Sequence, residues 1–479
     1  MGLSGAPGYA GSQKQGLAHR ARTSRSRRSR SPRASAPQDS DSTGKLRRGL
    51  RKLAAPKGFA DPAYPGYPGS RPVPLGALFV AFFFLSSSSA SAAPVTLKGY
   101  FKTYLYSVEP AAVRGWPAAQ ADGAYAASEN KFRLKAYWDG GRLKAEGAYE
   151  LIFTARHPEL AAARPLTAGY GYRVGDTGAR LSGGPGDPSV LIQNMDRAFV
   201  TWSPPAFDLY AGRQPLAFGS GRAVNPTDIL APYPYGTIDT EERRGVDALR
   251  LKVPTGEMGE LDAGWLPGED WSAAGAAGFL RVRGIAAGAD IKLISAVFRE
   301  NLMAGADIER HLGGAMLRAE AAQVWAGSFG DRESRDDFFR LTAGAEYNFP
   351  LLDGTDAWAE YHYNGAGAGS PGGYTALAGR TAYREANVYL LGRHYLAFGA
   401  GAALSPLVYA GAGVLVNLGD RSFYATPSVE WSAAEDLYVS AGVLLPSGPH
   451  ARFDGAAAVP ASEFGLSDRS AYASLRFYF

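Results

Sequence analysis

No cysteine occurs anywhere in this chain, which removes disulfide scaffolds and thiolate metal sites from consideration. Long apolar runs are almost as scarce. Apart from LGALFVAFFFL at 75–85, nothing approaches the roughly 18 apolar residues that a membrane-spanning helix needs. Histidine is thinly spread, with five after Ala92: His157, His311, His362, His394 and His450. His362 shares a strand face with Glu360 and Asn364, but no serine or other nucleophile motif accompanies it. The acidic stretches GEDW at 268 and GDRESRDD at 330 lack the ligand spacing of a zinc site. The GSG at 219 is followed by no amphipathic helix, so it is not a phosphate loop. The chain therefore reads as a non-enzyme with no catalytic residues, no metal and no cofactor.

Positive charge is unevenly placed. The first 92 residues hold 15 Lys and Arg against 3 Asp and Glu, which leaves 35 against 42 for the remainder. The net +12 of the leader hides a net −7 beyond it, so no nucleic-acid partner is expected for the folded part. Residues 1–70, rich in Arg, Ser, Pro and Gly, read as a disordered basic extension from an over-extended gene start. Residues 71–92 read as a signal peptide, with Ala90 and Ala92 as the small residues before the cut. Residues 93–479 are then one exported domain.

What that domain does contain is strand pattern. VTLKGYFKTYLYS sets Leu97, Phe101 and Leu105 on one face, and Lys98, Tyr100, Lys102 and Tyr104 on the other. KFRLKAYW repeats this, with Phe132, Leu134 and Trp138 opposite Lys131, Arg133 and Lys135. Asp139-Gly140-Gly141 is the hairpin turn that follows. Long connections (108–129, 155–194, 215–244, 365–385, 447–466) alternate with short ones (139–141, 203–206, 254–257). That alternation distinguishes a membrane barrel from a soluble sandwich. The fold class is all-β: a transmembrane antiparallel β-barrel of about 18 strands, with 16 as the alternative if one hairpin slips. Boundaries are least clear across 278–297 and 390–404, where Ala and Gly blur the alternation.

The last strand, SDRSAYASLRFYF, has Phe477 and Phe479 on its apolar face and Arg476 and Tyr478 on its polar one. Paired with the first strand, it would abolish the open edge. Its ending resembles the terminal strand of bacterial outer-membrane proteins, which implies Tyr478 and Phe479 as an assembly signal.

The most specific internal stretch runs from Gly212 to Arg250. It carries Gly-Arg-Gln at 212–214, Gly219 and Gly221, Asn225-Pro226-Thr227-Asp228, Glu242-Arg243-Arg244-Gly245, Asp247 and Arg250. With EYHYNG at 360–365 and NLGDRSF at 417–423, it resembles a bacterial outer-membrane porin-like family related to alginate-export-type barrels. The resemblance spans most of the chain from Val95. It implies a channel or conduit in the bacterial outer membrane. Implied partners are outer-membrane lipid and lipopolysaccharide, the barrel-assembly machinery, and small hydrophilic or anionic solutes.

A connection of some 30 residues, 215–244, in a compact structure is usually functional. Its mixed charges suggest a loop folded into the lumen; the alternative is an extracellular loop held to the barrel wall. The expected pore-lining set is Lys98, Lys102, Lys131, Arg133, Lys135, Arg213, Arg222, Asn225, Asp228, Glu242, Arg243, Arg244, Arg250, Glu360 and Arg476. On this register the first three strands and the last form a basic sector opposed only by Glu146 and Glu150. The far wall is balanced or acidic, and the basic sector should favour anions or polar, partly anionic sugars. Passive diffusion of small hydrophilic solutes is the leading function. Export of an envelope polysaccharide is the alternative, and a plugged barrel with an enzymatic or surface-binding role ranks third.

Overall fold

The computed structural model describes residues 95–479 apart from 116–122, 157–170, 176–179, 184–186, 270, 331–335, 353 and 456. The basic extension and signal peptide read from the sequence lie outside the described residues. Eighteen strands form the barrel. The first nine are β1 (Thr96–Glu109), β2 (Tyr125–Asp139), β3 (Leu143–Arg156), β4 (Ser189–Trp202), β5 (Asp208–Pro215), β6 (Gly245–Thr255), β7 (Gly259–Leu266), β8 (Ala277–Ala286) and β9 (Ala289–Phe298). The next six are β10 (Asn301–Leu312), β11 (Ala315–Trp325), β12 (Phe338–Phe349), β13 (Thr355–Asn364), β14 (His394–Ser405) and β15 (Val408–Asn417). Then come β16 in two pieces (Phe423–Ala425 and Ser428–Ala434), β17 (Leu437–Ser447) and β18 (Arg469–Tyr478). Pro427 has no N–H to give the ladder, and it lies in the gap of β16.

Each strand pairs antiparallel with the next, and β18 pairs with β1 from Tyr100↔Tyr478 to Glu109↔Arg469. The seam is completed by Phe479, which exchanges backbone hydrogen bonds of 2.8 and 3.0 Å with Gly99. A Cβ on Gly99 would stand 2.5 Å from the Phe479 ring, so glycine is what lets that ring lie over β1. The same ring stacks on Phe132 with centroids 6.2 Å apart. Closure leaves no unpaired edge, the condition for β structure in lipid.

The faces are inverted relative to a soluble protein. Leu97, Phe101, Leu105, Phe132, Leu134, Leu475 and Phe477 are exposed on the outer surface. Between them Tyr100, Lys102, Tyr104, Arg133 and Ser474 are buried inside. Leaving that much apolar surface in water would cost about 25 cal/mol per Å²; against acyl chains it costs nothing. The pattern is that of a barrel built to sit in a bilayer. No helix of the described residues is long and apolar enough to cross a membrane.

The regions that were hard to read turn out regular. β8 and β9 form a tight hairpin through Ala287 and Gly288, both left-handed. β9 and β10 join through Arg299 and Glu300, also left-handed (φ 45° and 69°), as a two-residue hairpin requires. The Ala- and Gly-rich stretch at 390–404 becomes strand only from His394.

Three segments turn inward. They are 171–175, the connection 216–244, and 365–393 with its 3-10 turn (Pro371–Gly379) and one-turn helix α1 (Thr381–Glu385). Leu216, Phe218, Ile229, Leu230, Leu377 and Val388 of these segments pack on inward residues of β8 to β12, among them Phe279, Phe298, Met303, Val324 and Phe338. The half of that sector nearest these segments is therefore a packed apolar core. Outside the barrel ladder, Val113–Arg114, Ala451–Phe453 and Ala458–Val459 form a small separate sheet.

Candidate functional site in the barrel lumen

β1 and β2 place like charges directly opposite each other: Lys102↔Lys131 and Lys98↔Lys135. Such pairs repel unless an anion intervenes. The intervening anion comes from the 216–244 loop. Asp239 takes Lys102 on one oxygen and Lys131 on the other, each at 2.8 Å. Glu241 meets Lys102 at 2.6 Å and accepts the Tyr478 hydroxyl at 2.6 Å. Glu242 pairs with Lys135 and reaches Arg133 at 3.5 Å. The loop's acidic tip is thus seated on the basic wall, across the seam between the first and last strands. Burial would raise the Asp239 carboxyl, yet Lys131 and Lys102 together pull it down to about 2.

Arg133 is also held by Glu150 and by Asp196 at 2.8 Å. Asp196 gathers Arg173 at 2.9 Å, Arg197, and the Gly245 N–H at 3.0 Å. The basic sector is therefore neutralised from two sides. A tally of strand faces counts only Glu146 and Glu150 there and overlooks the acids that the loop and β4 bring in.

The other end of the loop rests on the opposite wall. Glu320 of β11 accepts the Thr227 N–H and hydroxyl, both at 2.7 Å, and the Ser220 N–H at 3.2 Å. Glu360 of β13 accepts the N–H groups of Arg222 (2.6 Å) and Ala223 (2.9 Å). Arg222 pairs with Glu346, which Arg318 also reaches at 2.8 Å. Thr342 donates to the Val224 carbonyl at 2.9 Å. Acids on the loop meet bases on one wall, and amides and Arg222 meet acids on the other.

Beyond the apolar core, the other half of β6 to β10 carries alternating charge. Arg250 forks onto Asp262 at 2.8 and 2.7 Å, and Arg281 shares the same carboxylate at 2.7 Å. Lys252 meets Glu260 at 2.9 Å, and Lys292 meets Asp307 and Glu309 at 3.0 and 2.8 Å. Arg213 forks onto Asp247, and Arg476 pairs with Glu430.

Space remains on the opposite side, as a cavity of about 500 Å³ between the loop and the wall of β16, β17 and β18. The loop contributes Arg222, Asp228, Tyr233, Tyr235 and Arg243; the wall contributes Thr426, Ser428 and Tyr472. Arg340 of β12 and Tyr389 close its end. Asp228 is the one acid among the described lining residues, against three arginines. Arg243 bonds it at 2.9 Å and lies over the Tyr233 ring, 4.4 Å from the centroid. Burial pushes the Asp228 carboxyl up to about 6, against the pull of Arg243, the Ala231 amide and Arg340.

The residues expected from sequence fall into three groups. Arg222, Asn225, Asp228 and Arg243 line the cavity. Lys102, Lys131, Arg133, Lys135, Arg213, Glu242, Arg250, Glu360 and Arg476 are engaged in the ion pairs and hydrogen bonds above. Lys98 and Arg244 are exposed, Lys98 near the start of β1. His362 is a buried lumen residue bonded to Thr342 at 2.9 Å. Tyr233, Tyr235, Tyr389 and Tyr472 went unread as lining residues, because only the folded loop brings them together, whereas strand alternation already turns Arg340 inward. Glu320 carried a legible signal: a lone carboxylate amid alanines in AEAAQVW.

The fold and its interior define a closed 18-stranded antiparallel barrel whose lumen is narrowed by its own inserted loop. No family model and no curated protein matches the chain. Among solved structures, it is similar to OccAB2 of Acinetobacter baumannii at 10% identity, covering 82% of this chain and 99% of that one, with a TM-score of 0.49. OccD3 (OpdP) of Pseudomonas aeruginosa follows at 10%, 82%, 93% and 0.46. A Rhodopseudomonas blastica porin gives 12%, 81%, 100% and 0.39. At such identities and scores, function has to be argued from this chain's own lumen.

Proposed function

We propose that the protein is a bacterial outer-membrane channel for passive diffusion of small hydrophilic solutes, with a preference for anions. The observation that carries this reading is the cavity left between the inserted loop and the β16–β18 wall, lined by hydroxyls, tyrosines and three arginines against one acid. Its volume lies in the range of small-molecule sites, roughly 300–1,000 Å³. That favours small solutes over a polysaccharide strand, so the export role suggested by the alginate-export likeness ranks below it. On this reading Tyr478 and Phe479 remain the candidate signal for the assembly machinery, and lipid and lipopolysaccharide contact the outer face.

Purified protein in planar bilayers should open a small, stable conductance and show an anion-leaning zero-current potential in a salt gradient. Ser428→Trp, placing a large ring in the cavity, should lower that conductance severalfold. Silent insertions, or a Ser428→Trp channel as conductive as the parent, would overturn the proposal.

A further inference from the structure

Asp228 is fully buried, yet it belongs to the wall of the cavity through which solutes are proposed to pass. Three arginines share that wall, and they are not equivalent. Arg222 is held by Glu346 of β12, a carboxylate that does not line the cavity. Arg340 is buried and donates to the Pro226 carbonyl at 3.3 Å. Arg243 is partly exposed, and the carboxylate that balances it is Asp228. The net charge seen by an ion in the cavity thus depends on one carboxyl more than on any other.

We infer that Asp228 is a selectivity-determining residue of this channel: it holds Arg243 neutralised at neutral pH and releases that positive charge to the cavity when it takes up a proton. The inference rests on the channel reading above. Asp228 acts through Arg243 and is a positioning residue, not a point of solute contact.

The groups that face Asp228 are few. Its own loop supplies Arg243 and the Ala231 amide, β12 supplies Arg340, and the 365–393 segment supplies Tyr389. Glu320 on β11 is the carboxylate beyond Arg340. Burial outweighs the cations in setting the proton affinity, so the carboxyl titrates near 6 rather than near 4. The sign follows directly. A group with a raised value is charged at pH 7.5 and largely neutral at pH 5, so acidification adds positive charge to the cavity.

The test is the chloride-to-potassium permeability ratio of the reconstituted full barrel at pH 7.5 and pH 5. Wild type should become more anion-selective at pH 5, by about two- to threefold in dilute salt, with the change shrinking as salt screens it. Asp228→Asn should show the acid-pH ratio at both pH values. Arg243→Gln should flatten the pH step, and Asp228→Asn added to Arg243→Gln should then change little. A shift on boiling in gel mobility checks that each variant forms the barrel. A conducting wild type without a pH step would overturn this inference alone, as would Asp228→Asn retaining the step or acting undiminished beside Arg243→Gln. A wild type that passes no current overturns the channel reading, and this inference with it.

Discussion

Two halves of one lumen, built on the same alternating strand pattern, end in opposite states. Across β8 to β12 the inward positions near the inserted segments are Phe279, Phe298, Met303, Val324 and Phe338. The inserted segments pack against them, and the space becomes a dry core. Across β14 and β15 the inward positions include Gly399, Gly401, Gly411 and Gly413, and from β16 to β18 they include Ser428, Ser440 and Ser474. Apolar contact there is confined to a smaller cluster, where Val224, Leu390 and Tyr235 pack on Tyr395, Ala397 and Leu415, and the glycine and hydroxyl positions beside it offer an inserted segment little further apolar area to bury. The comparison teaches that an inward-facing position is only half of the information. Whether a lumen is filled or open depends on what its wall can offer to the loops that enter it.

The largest effect should come from unseating the loop from the wall that holds its tip. Asp239→Asn, Glu241→Gln and Glu242→Gln together remove the carboxylates that meet Lys102, Lys131, Arg133 and Lys135. Three lysines then lose these partners, two of them directly opposed across β1 and β2, while Arg133 keeps Glu150 and Asp196. Single-channel conductance should rise about threefold or more, with a marked gain in anion selectivity. An unchanged conductance would show that the Glu320 and Glu360 anchors suffice to hold the loop. Acid should act in the same direction. With its value lowered to about 2, Asp239 stabilises the seated loop above pH ~4 and loses that contribution as pH falls from there through 2.

The filled half should behave in the reverse manner. Phe298→Ala deletes a fully buried ring from the core and should cost about 3–5 kcal/mol. A lower denaturant midpoint, read by tryptophan fluorescence, should accompany a conductance within about twofold of wild type. If conductance changed as strongly as stability, the two halves would not be separable.

How much of this was legible in the sequence follows from the range over which each feature is set. Which face of β1 or β2 points inward is a local matter of period two, so Lys102 and Arg133 could be placed from eight residues of pattern. The β14–β15 wall gave a weak signal because Ala and Gly fit either face. The loop's contacts were out of reach: Lys102 and Asp239 are 137 positions apart, and no local pattern connects them. One clue did exist. Lysines falling opposite each other in a predicted hairpin require an anion from elsewhere, and the acid-rich DTEE at 239–242 was available to supply it.

The smallest effect is expected where the sequence placed a pore charge and the fold leaves it apart from the network. Lys98 lies near the start of β1, exposed, opposite Lys135, and without an ion pair among the described residues. Lys135 at least has Glu242. An exposed charge at the mouth of a wide aqueous opening acts only within a Debye length, about 10 Å at 0.1 M salt. Lys98→Gln should therefore move the zero-current potential a few millivolts towards cations in dilute salt and not measurably at 1 M, where the screening length is about 3 Å. The same substitution at Lys102 or Arg133 would remove one cation from Asp239 or Asp196, leaving Lys131 on the first and Arg173 and Arg197 on the second, and would disturb the seated loop. A Lys98→Gln shift as large as that of the triple loop variant would mean that the mouth beside Lys98, rather than the cavity beside Arg243, is where ions are selected.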